Sequence, residues 1–382
     1  MEQGRIRDCP EATRASFNLR LASSKQACMT GSLGGAALMR ELVEDIMDHI
    51  RILNADEVSR LVSIPMALEA VEAAYAQKHA GQASVWPLLF HEFVDGVRDM
   101  DLKSGNLDGD GIWGLKAISC YYDNPERGLP VYHGTSLVFD YATGAPKAVL
   151  NAMPITRYRT GAAGAVGAKW LARKDAEVLV VCGDGGLCPY LISANLLALP
   201  QLSRVVITNP LHGRTSDERL GEIQASVEGL LSGCDADIPA IETDGLEAAV
   251  RQADVIMTAT PSYDPYLKDE WVRPGTHLSC VGADKSGKQE VESALLARAR
   301  VVADDVHQCL TVGECELPHE QGVLPDKFDE IGAVIAGDLP GRSSNDQVTV
   351  FDSTGLSLQD LATIARIVSQ AEADGVGVVA DL

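Results

Sequence analysis

The stretch Val178-Leu-Val-Val-Cys182-Gly183-Asp184-Gly185-Gly186-Leu187-Cys188 carries an apolar run straight into a glycine-rich turn, and a helical pattern follows from Leu191 to Leu197. A strand that ends in Gly-x-Gly-x-x-small and opens a helix is how a Rossmann domain holds a dinucleotide pyrophosphate. Gly183 permits the tight turn, Gly185 leaves the backbone bare where phosphates approach, and Cys188 lets helix and strand pack closely. The helix N-terminus offers unpaired N–H groups to the anion. Parallel-sheet proteins without nucleotide also carry such turns, so the reading depends on the other reactive residues.

Those residues fall in a few places. The next strand, Arg204–Thr208, ends in Thr208-Asn209 and has no carboxylate to bind the 2′-hydroxyl of NAD, while Arg214 lies just beyond. That combination favours NADP(H) over NAD(H); a solvated loop arginine is the plainer alternative. Thr156-Arg157-Tyr158-Arg159-Thr160-Gly161 sets two arginines beside an expected helix start at the domain junction. A guanidinium there suits a carboxylate substrate, with Arg157 better suited to an interdomain salt bridge. Lys116 interrupts the apolar strand Trp113–Ser119, and Lys103 is a second cation in the same region. A lysine so placed either snorkels to solvent or points into a pocket. Finally, Cys280-Val-Gly282-Ala-Asp284 delivers a carboxylate at the C-terminal end of a strand. Ligands of open parallel sheets bind there, so Asp284 reads as an acid/base group or an anchor for an amino group; a turn-forming aspartate is the alternative.

Composition limits the possibilities. At 382 residues, with 46% hydrophobic and 23% charged residues, the chain is an ordinary globular protein with room for two full cores. Its formal charge of −22 argues against nucleic acid or an anionic membrane as partner. Nine cysteines without a Cys-x-x-Cys pair read as reduced, buried thiols of a cytoplasmic protein. Cys309 and Cys315 with His307 and His319 match no zinc spacing, so no metal is expected. No apolar run is long enough to span a bilayer. Residues 1–38 lack a secretory hydrophobic segment and are expected to be a loose extension, with Met39 a second candidate start.

The elements that must position these residues change character along the chain. Ile52-Leu53 reads as a strand, Asn54–Glu57 as a helix start, and Met66–Tyr75 as an amphipathic helix. From Val85 to Val149, short runs such as Gly114–Cys120, Thr135–Asp140 and Pro146–Leu150 are split by turn residues, as in a mostly antiparallel sheet. From Gly161 the pattern becomes βαβ: a small-residue helix to Ala172, then strands at Val178–Cys182, Arg204–Thr208, Asp254–Thr258, Thr276–Val281 and Arg300–Ala303. Ser357-Leu-Gln-Asp360 resembles a capping box opening a helix whose apolar face is Leu358, Leu361, Ala365 and Val368. This helix is expected to return to the first domain.

In their order, several segments resemble the ornithine cyclodeaminase/mu-crystallin family over nearly everything from Ile50 onward. They are Gly114-Leu-Lys116, Gly128-Leu-Pro130, Thr156-x-x-Arg159-Thr-Gly-Ala, Gly183-x-Gly-x-x-Cys188, Gly282-Ala-Asp284-x-x-Gly287-Lys288-x-Glu290, Gly332-x-Val-Ile-x-Gly337 and Phe351-Asp-Ser353-Thr354-Gly355-Leu-x-Leu-Gln-Asp360. The resemblance implies an α/β protein. A Rossmann domain (161–355) would be inserted into a mostly antiparallel α+β substrate and dimerisation domain (39–160 plus 356–382). It implies homodimers and a small amino or imino acid as substrate. Lys116 and Arg159 would bind the carboxylate, and Asp284 would act near the substrate nitrogen. Thr160, Ser353 and Thr354 would lie near the nicotinamide. Asp184, Gly186, Leu187, Asn209, Thr215 and Thr258 complete the expected cofactor contacts.

There are departures from the family pattern. Trp86-Pro87-Leu88-Leu89 lacks the usual arginine, so that a basic contact is either lost or supplied by Lys103. Val131 stands where ornithine-specific members carry a polar residue, and the Pro210–Gly213 loop is longer than usual. The leading expectation is an NAD(P)H-dependent oxidoreductase of imino or amino acids. The alternatives are an ammonia-releasing cyclodeaminase that does not consume its cofactor and a crystallin-like protein that only stores NADPH.

Overall fold

The structure is a computed structural model that describes residues 49–382. The proposed extension, and the first residues assigned to the substrate domain, lie outside the described residues. A compact body spans Arg51–Val378, and a second unit consists of the two chain ends. In that second unit His49 Nδ1 lies 2.7 Å from Asp381 Oδ1. Among the described residues, no helix is long and apolar enough to cross a membrane.

The first sheet contains β1 (His49–Leu53), β2 (Ala83–Val85), β3 (Leu89–Val94), β4 (Arg98–Leu107), β5 (Ile112–Tyr121), β6 (Tyr132–Asp140) and β7 (Pro146–Asn151). Its order is β1-β7-β6-β5-β4-β2, with β3 also on β4. Only β1 and β7 pair in parallel among these strands. Two helices precede the meander. In α1 (Ala55–Leu61), Asn54 and Glu57 form a complete capping box; in α2 (Ile64–His79), the Ser63 side chain caps the Met66 N–H.

The helix expected from Gly161 begins earlier, as α3 (Met153–Leu171). Asn151 accepts the Met153 N–H at 3.0 Å, and Pro154 sits where a missing N–H costs nothing. Arg157 and Arg159 are therefore inside the helix rather than beside its start. Its glycine and alanine face lets it run close to its neighbours: a Cβ at Gly167 would stand 2.2 Å from the Phe351 ring.

The second sheet is wholly parallel, in the order β10-β9-β8-β11-β12-β15-β13-β14. These strands are β8 (Val178–Cys182), β9 (Arg204–Thr208), β10 (Ile241–Thr243), β11 (Val255–Thr258), β12 (His277–Cys280), β13 (Arg300–Ala303), β14 (Asp329–Glu330) and β15 (Thr349–Asp352). Val180 and Cys182 pack into one hydrophobic cluster, whereas Leu179 and Val181 pack into another. This is the period-two signature of a strand buried on both faces. From β8 the chain winds outward to β9 and β10 and then returns to place β11 on the other side. The strand order reverses there, which opens a crevice beyond the strand ends.

The C-terminal helix α4 (Ser357–Asp374) packs on the antiparallel sheet and on α2. The expected capping box at its start is absent. Leu356 is the N-cap without a side-chain hydrogen bond, and Ser357 Oγ instead donates to the Ser104 carbonyl at 2.7 Å. The tertiary bond outcompetes the local one because the helix start is buried against β4. Leu358, Leu361 and Val368 are buried as expected, with Ile364 and Ile367 beside them. Each such side chain contributes roughly 1.5–3 kcal/mol of burial. A Cβ at Gly114 would lie 2.9 Å from Leu361 and 2.5 Å from the Leu137 carbonyl oxygen, so glycine is what admits the helix to this sheet.

Candidate active site

A cleft of about 370 Å³ lies where the ends of β8, β11 and β12 face β4, β5 and α3. Lys103, Lys116, Arg159, Asp284 and the Gly183–Leu187 turn all line it. Lys103 and Asp284, 181 positions apart in the sequence, thus meet at one site.

Its floor is a cluster of cations. Lys103 and Lys116 stand directly opposite each other across β4 and β5, a like-charge pairing that costs stability in a sheet. Both are buried. Lys103 Nζ donates to the Thr354 and Gly355 carbonyls at 2.9 and 2.8 Å. Lys116 Nζ lies 2.8 Å from Asp360 Oδ2, in α4, with Thr156 Oγ1 at 3.5 Å. Arg159 Nε donates to the other Asp360 oxygen at 3.2 Å, and Nη1 donates to Gln359 Oε1 at 3.0 Å. Burial, reinforced by Arg159 and Lys103, pushes the Lys116 ammonium down to about 8 despite Asp360. Burial would raise the Asp360 carboxyl, but Arg159 and Lys116 outweigh it and hold it below the usual range. Of the two fates open to Lys116, the structure takes the pocket. Arg157 makes no ion pair among the described residues and lines the cleft mouth, contrary to the expected interdomain bridge.

Asp284 stands at the mouth on the loop after β12, its side chain 51% exposed. Lys288 Nζ donates to its Oδ1 at 2.7 Å. Desolvation alone would raise this carboxyl; Lys288 and Lys103 hold it below the ordinary aspartate range. The loop is tied down at two further points. Lys285 Nζ donates to buried Asp99 of β4 at 2.7 Å. Glu290, fully buried, accepts from Thr258 and Thr260 hydroxyls, the Thr260 and Gly282 N–H groups and Tyr266. Asp101 also lines the cleft, and its buried Oδ1 has no hydrogen-bond partner among the described residues.

The turn after β8 fits a dinucleotide phosphate. Gly183 has φ +115°, and a Cβ there would lie 3.0 Å from the Ala259 carbonyl oxygen; at Gly185 a Cβ would meet nothing within 4 Å, so backbone faces open cleft. The helix that follows, α5 (Cys188–Ala198), has no side-chain cap, but its Cys188 and Tyr190 N–H groups already donate to the Gly185 and Leu187 carbonyls and Pro189 has none, so the glycine turn rather than the helix end is what faces an anion. The Asp184 carboxylate turns away from the cleft and accepts from Asn209 Nδ2 at 2.8 Å and Thr215 Oγ1 at 3.0 Å. Arg219, which sequence patterns did not single out, donates to the carbonyls of Asp184 and Gly185 at 2.9 and 3.3 Å.

Other expected cofactor contacts do not reach the cleft wall. Thr160 donates to the Thr156 carbonyl, Thr258 to Glu290 and Ser353 to Asp304, while Thr354 Oγ1 accepts from Gln308. Arg214 donates to the Thr243 carbonyl at 2.6 Å, and Asn209 closes the Pro210–Gly213 loop through paired backbone bonds with Gly213. Cys309 and Cys315 are free thiols in the hydrophobic core, and His319 turns to Asp326. Among the described residues, no group of three or more His, Cys, Asp or Glu is arranged to hold a metal. Of the residues missed by sequence patterns, Lys288 and Asp360 lie inside the family-like motifs; Arg219, Lys285 and Asp101 carry no local signal.

Comparison with known proteins identifies the family and the fold. Residues 49–375 match the ornithine cyclodeaminase/mu-crystallin family. The chain is 35% identical over 340 residues to the alanine dehydrogenase of Archaeoglobus fulgidus, covering 85% of this chain and 96% of that one. The solved structure of the iminosuccinate reductase of Paracoccus denitrificans in complex with NAD+ superposes with a TM-score of 0.80 at 32% identity, over 87% of this chain and 100% of the relative. An archaeal alanine dehydrogenase dimer with bound NAD superposes with a TM-score of 0.76 at 33% identity, over 87% and 99%. By sequence and by fold, the chain belongs to the ornithine cyclodeaminase/mu-crystallin family.

Proposed function

We propose that the protein is an NAD(P)H-dependent oxidoreductase that interconverts 2-imino acids and 2-amino acids. The observation that carries this is the convergence of three buried cations, a half-exposed carboxylate and a dinucleotide turn on one cleft. The names of its relatives, alanine dehydrogenase and iminosuccinate reductase, support the reaction class.

In this reading, the antiparallel sheet with α4 binds substrate and forms the dimer, and the parallel sheet binds cofactor. Lys116 and Arg159, with Lys103 behind them, take the substrate carboxylate through charge-assisted hydrogen bonds. Asp284 faces the nitrogen. Its lowered pKa keeps it ionised, so it accepts the ammonium proton in oxidation and stabilises a protonated imine in reduction. A bound nicotinamide dinucleotide supplies or takes the hydride at the α-carbon. Holding carboxylate and nitrogen at fixed points presents that carbon in one orientation, which removes much of the entropic barrier. Gly183, Gly185, Gly186 and Leu187 hold the pyrophosphate; Asp184, Asn209, Thr215 and Arg214 shape the adenosine end. Thr160, Thr258, Ser353 and Thr354 act by bracing the walls. The absence of a strand-end carboxylate after β9, with Arg214 on the adjoining loop, favours NADP(H) over the NAD bound by the solved relatives.

The test is a panel of 2-keto acids with ammonia or methylamine, and of amino and diamino acids, assayed with both cofactors. Net oxidation of NADPH with a keto acid and an amine is the expected result. Asp284→Asn should reduce kcat by roughly 10²–10⁴-fold. Ammonia release from a diamino acid without net cofactor change would instead identify a cyclodeaminase, and unchanged turnover in Asp284→Asn would remove Asp284 from the chemistry.

A further inference from the structure

The cations of the cleft floor are not held by the elements that carry them. Lys116 comes from β5 and Arg159 from α3, yet both end on one side chain of the C-terminal helix. That side chain, Asp360, is 1% exposed and uses a different oxygen for each partner. Gln359, its neighbour, fixes Arg159 Nη1 and is itself anchored by donating to Tyr75 Oη at 2.7 Å. Among the described residues, Arg159 Nη2 makes no hydrogen bond, and the Lys116 ammonium, ion-paired with Asp360, donates a hydrogen bond only to Thr156, so N–H groups are left over on both. The spare donors belong to residues that line the cleft.

We propose that Asp360 is the positioning residue of the substrate-carboxylate site: one buried carboxylate that grips Lys116 with one oxygen and Arg159 with the other, leaving their spare donors as a preformed fork. The proposal rests on the oxidoreductase reading for the identity of the carboxylate, and extends it to a residue that need not touch substrate. The charge balance supports it. Lys116 faces Arg159 from α3, Lys103 from β4 and Asp360 from α4, so among these neighbours the carboxylate of Asp360 is what offsets two cations. Without it, three cations would be buried together, and Lys116, whose ammonium burial and its cationic neighbours already push down, would lose its proton more readily. The fork would then lose both its geometry and half its charge. Gly114, by letting α4 approach the sheet, is what brings Asp360 under Lys116.

The experiment compares wild type, Asp360→Asn and Asp360→Glu by two readouts. The first is the pH midpoint for acetylation of Lys116 by acetic anhydride, followed by mass spectrometry on protein without substrate. The second is steady-state kinetics with the substrate found by the panel above. Asp360→Asn, equal in size but uncharged, should move the midpoint about tenfold in proton concentration towards lower pH. It should also raise KM by roughly 10–100-fold while changing kcat less, with cofactor affinity unaltered. Asp360→Glu, which keeps the charge but displaces it, should hold the midpoint and still raise KM. A folded Asp360→Asn with unchanged midpoint and unchanged KM overturns the proposal. If Asp360→Asn does not fold, Asp360→Glu decides: an unchanged KM there overturns it. Because the acetylation midpoint needs no turnover, a wild type inactive on every keto acid would sink the oxidoreductase reading and leave this one standing on its own measurement.

Discussion

Two acidic regions of this molecule are equally buried and titrate in opposite directions. On the cleft floor, the Asp360 carboxyl is held below its ordinary range because Arg159 and Lys116 overcome the cost of burial. Behind the parallel sheet, Glu290, Glu314, Asp304 and Asp352 are all raised by burial. Their partners are hydroxyls and backbone N–H groups: Thr258, Thr260 and Tyr266 on Glu290, the Glu290 and Val291 N–H groups on Glu314, and the Cys315 N–H on Asp352. Neutral donors reduce the penalty but do not match a full opposite charge, and the acids also repel one another. The difference separates two jobs. In the proposed reading, Asp360 holds cations in place for an anion that arrives, whereas the cation-free acids tie strand ends together and need no charge.

Removing a cation should have the largest effect on this contrast. Arg159→Met takes away one of two partners of a buried carboxylate and half of the fork, so kcat/KM should fall by about 10²–10³-fold, equivalent to about 3–4 kcal/mol. A loss under threefold in steady-state assays would mean that the floor does not bind substrate carboxylate. The next effect concerns pH. Lys116 has its pKa lowered to about 8, so the free enzyme carries the required cation below that pH and loses it above. The log of kcat/KM should therefore fall with unit slope above about pH 8, and Lys116→Arg should flatten that limb because guanidinium stays charged. A limb that persists in Lys116→Arg assigns it to another group.

The smallest effect lies in the cation-free region. Asp352 is raised to about 7 in the fold. Its neutral form stabilises fully below the ordinary aspartate pKa, and that contribution is lost as pH rises through about 7. Asp352→Asn removes the ionisation, so its stability relative to wild type should improve between about pH 4 and pH 7 and level off above, by on the order of 1 kcal/mol per unit at most. Urea midpoints across that range measure it; parallel curves for the two proteins would show that Asp352 does not titrate there.

Much of the site was legible before the fold. The β8 run and its turn, Lys116 in an apolar strand and Asp284 at a strand end are local patterns, and the structure brings all of them to one cleft. The α3 start was missed because the small-residue pattern begins at Gly161, whereas the helix is opened by Asn151 and Pro154 further back. The spacing of Ser357 and Asp360 predicts a capping box. In the fold Ser357 bonds β4 and Asp360 turns to Lys116 and Arg159, since a buried helix start offers stronger partners than its own backbone. Arg214, expected near the cofactor from the missing strand-end carboxylate, and Thr160 and Ser353, expected there from the family resemblance, are engaged with protein groups in the fold, as is Thr258.

The sequence by itself determined which chemistry was available: cations in apolar strands, a carboxylate beyond a strand, and a glycine turn before a helix. Spacing along the chain specifies these because strand and helix periodicities are local. The tertiary structure decided which charges meet. Lys103 and Lys116 became opposite neighbours only through the β4–β5 register, and both found compensation only because α4 returns to the sheet. Electrostatic effects act through distance in space, and in a buried site that distance sets both the pKa and the use of each group.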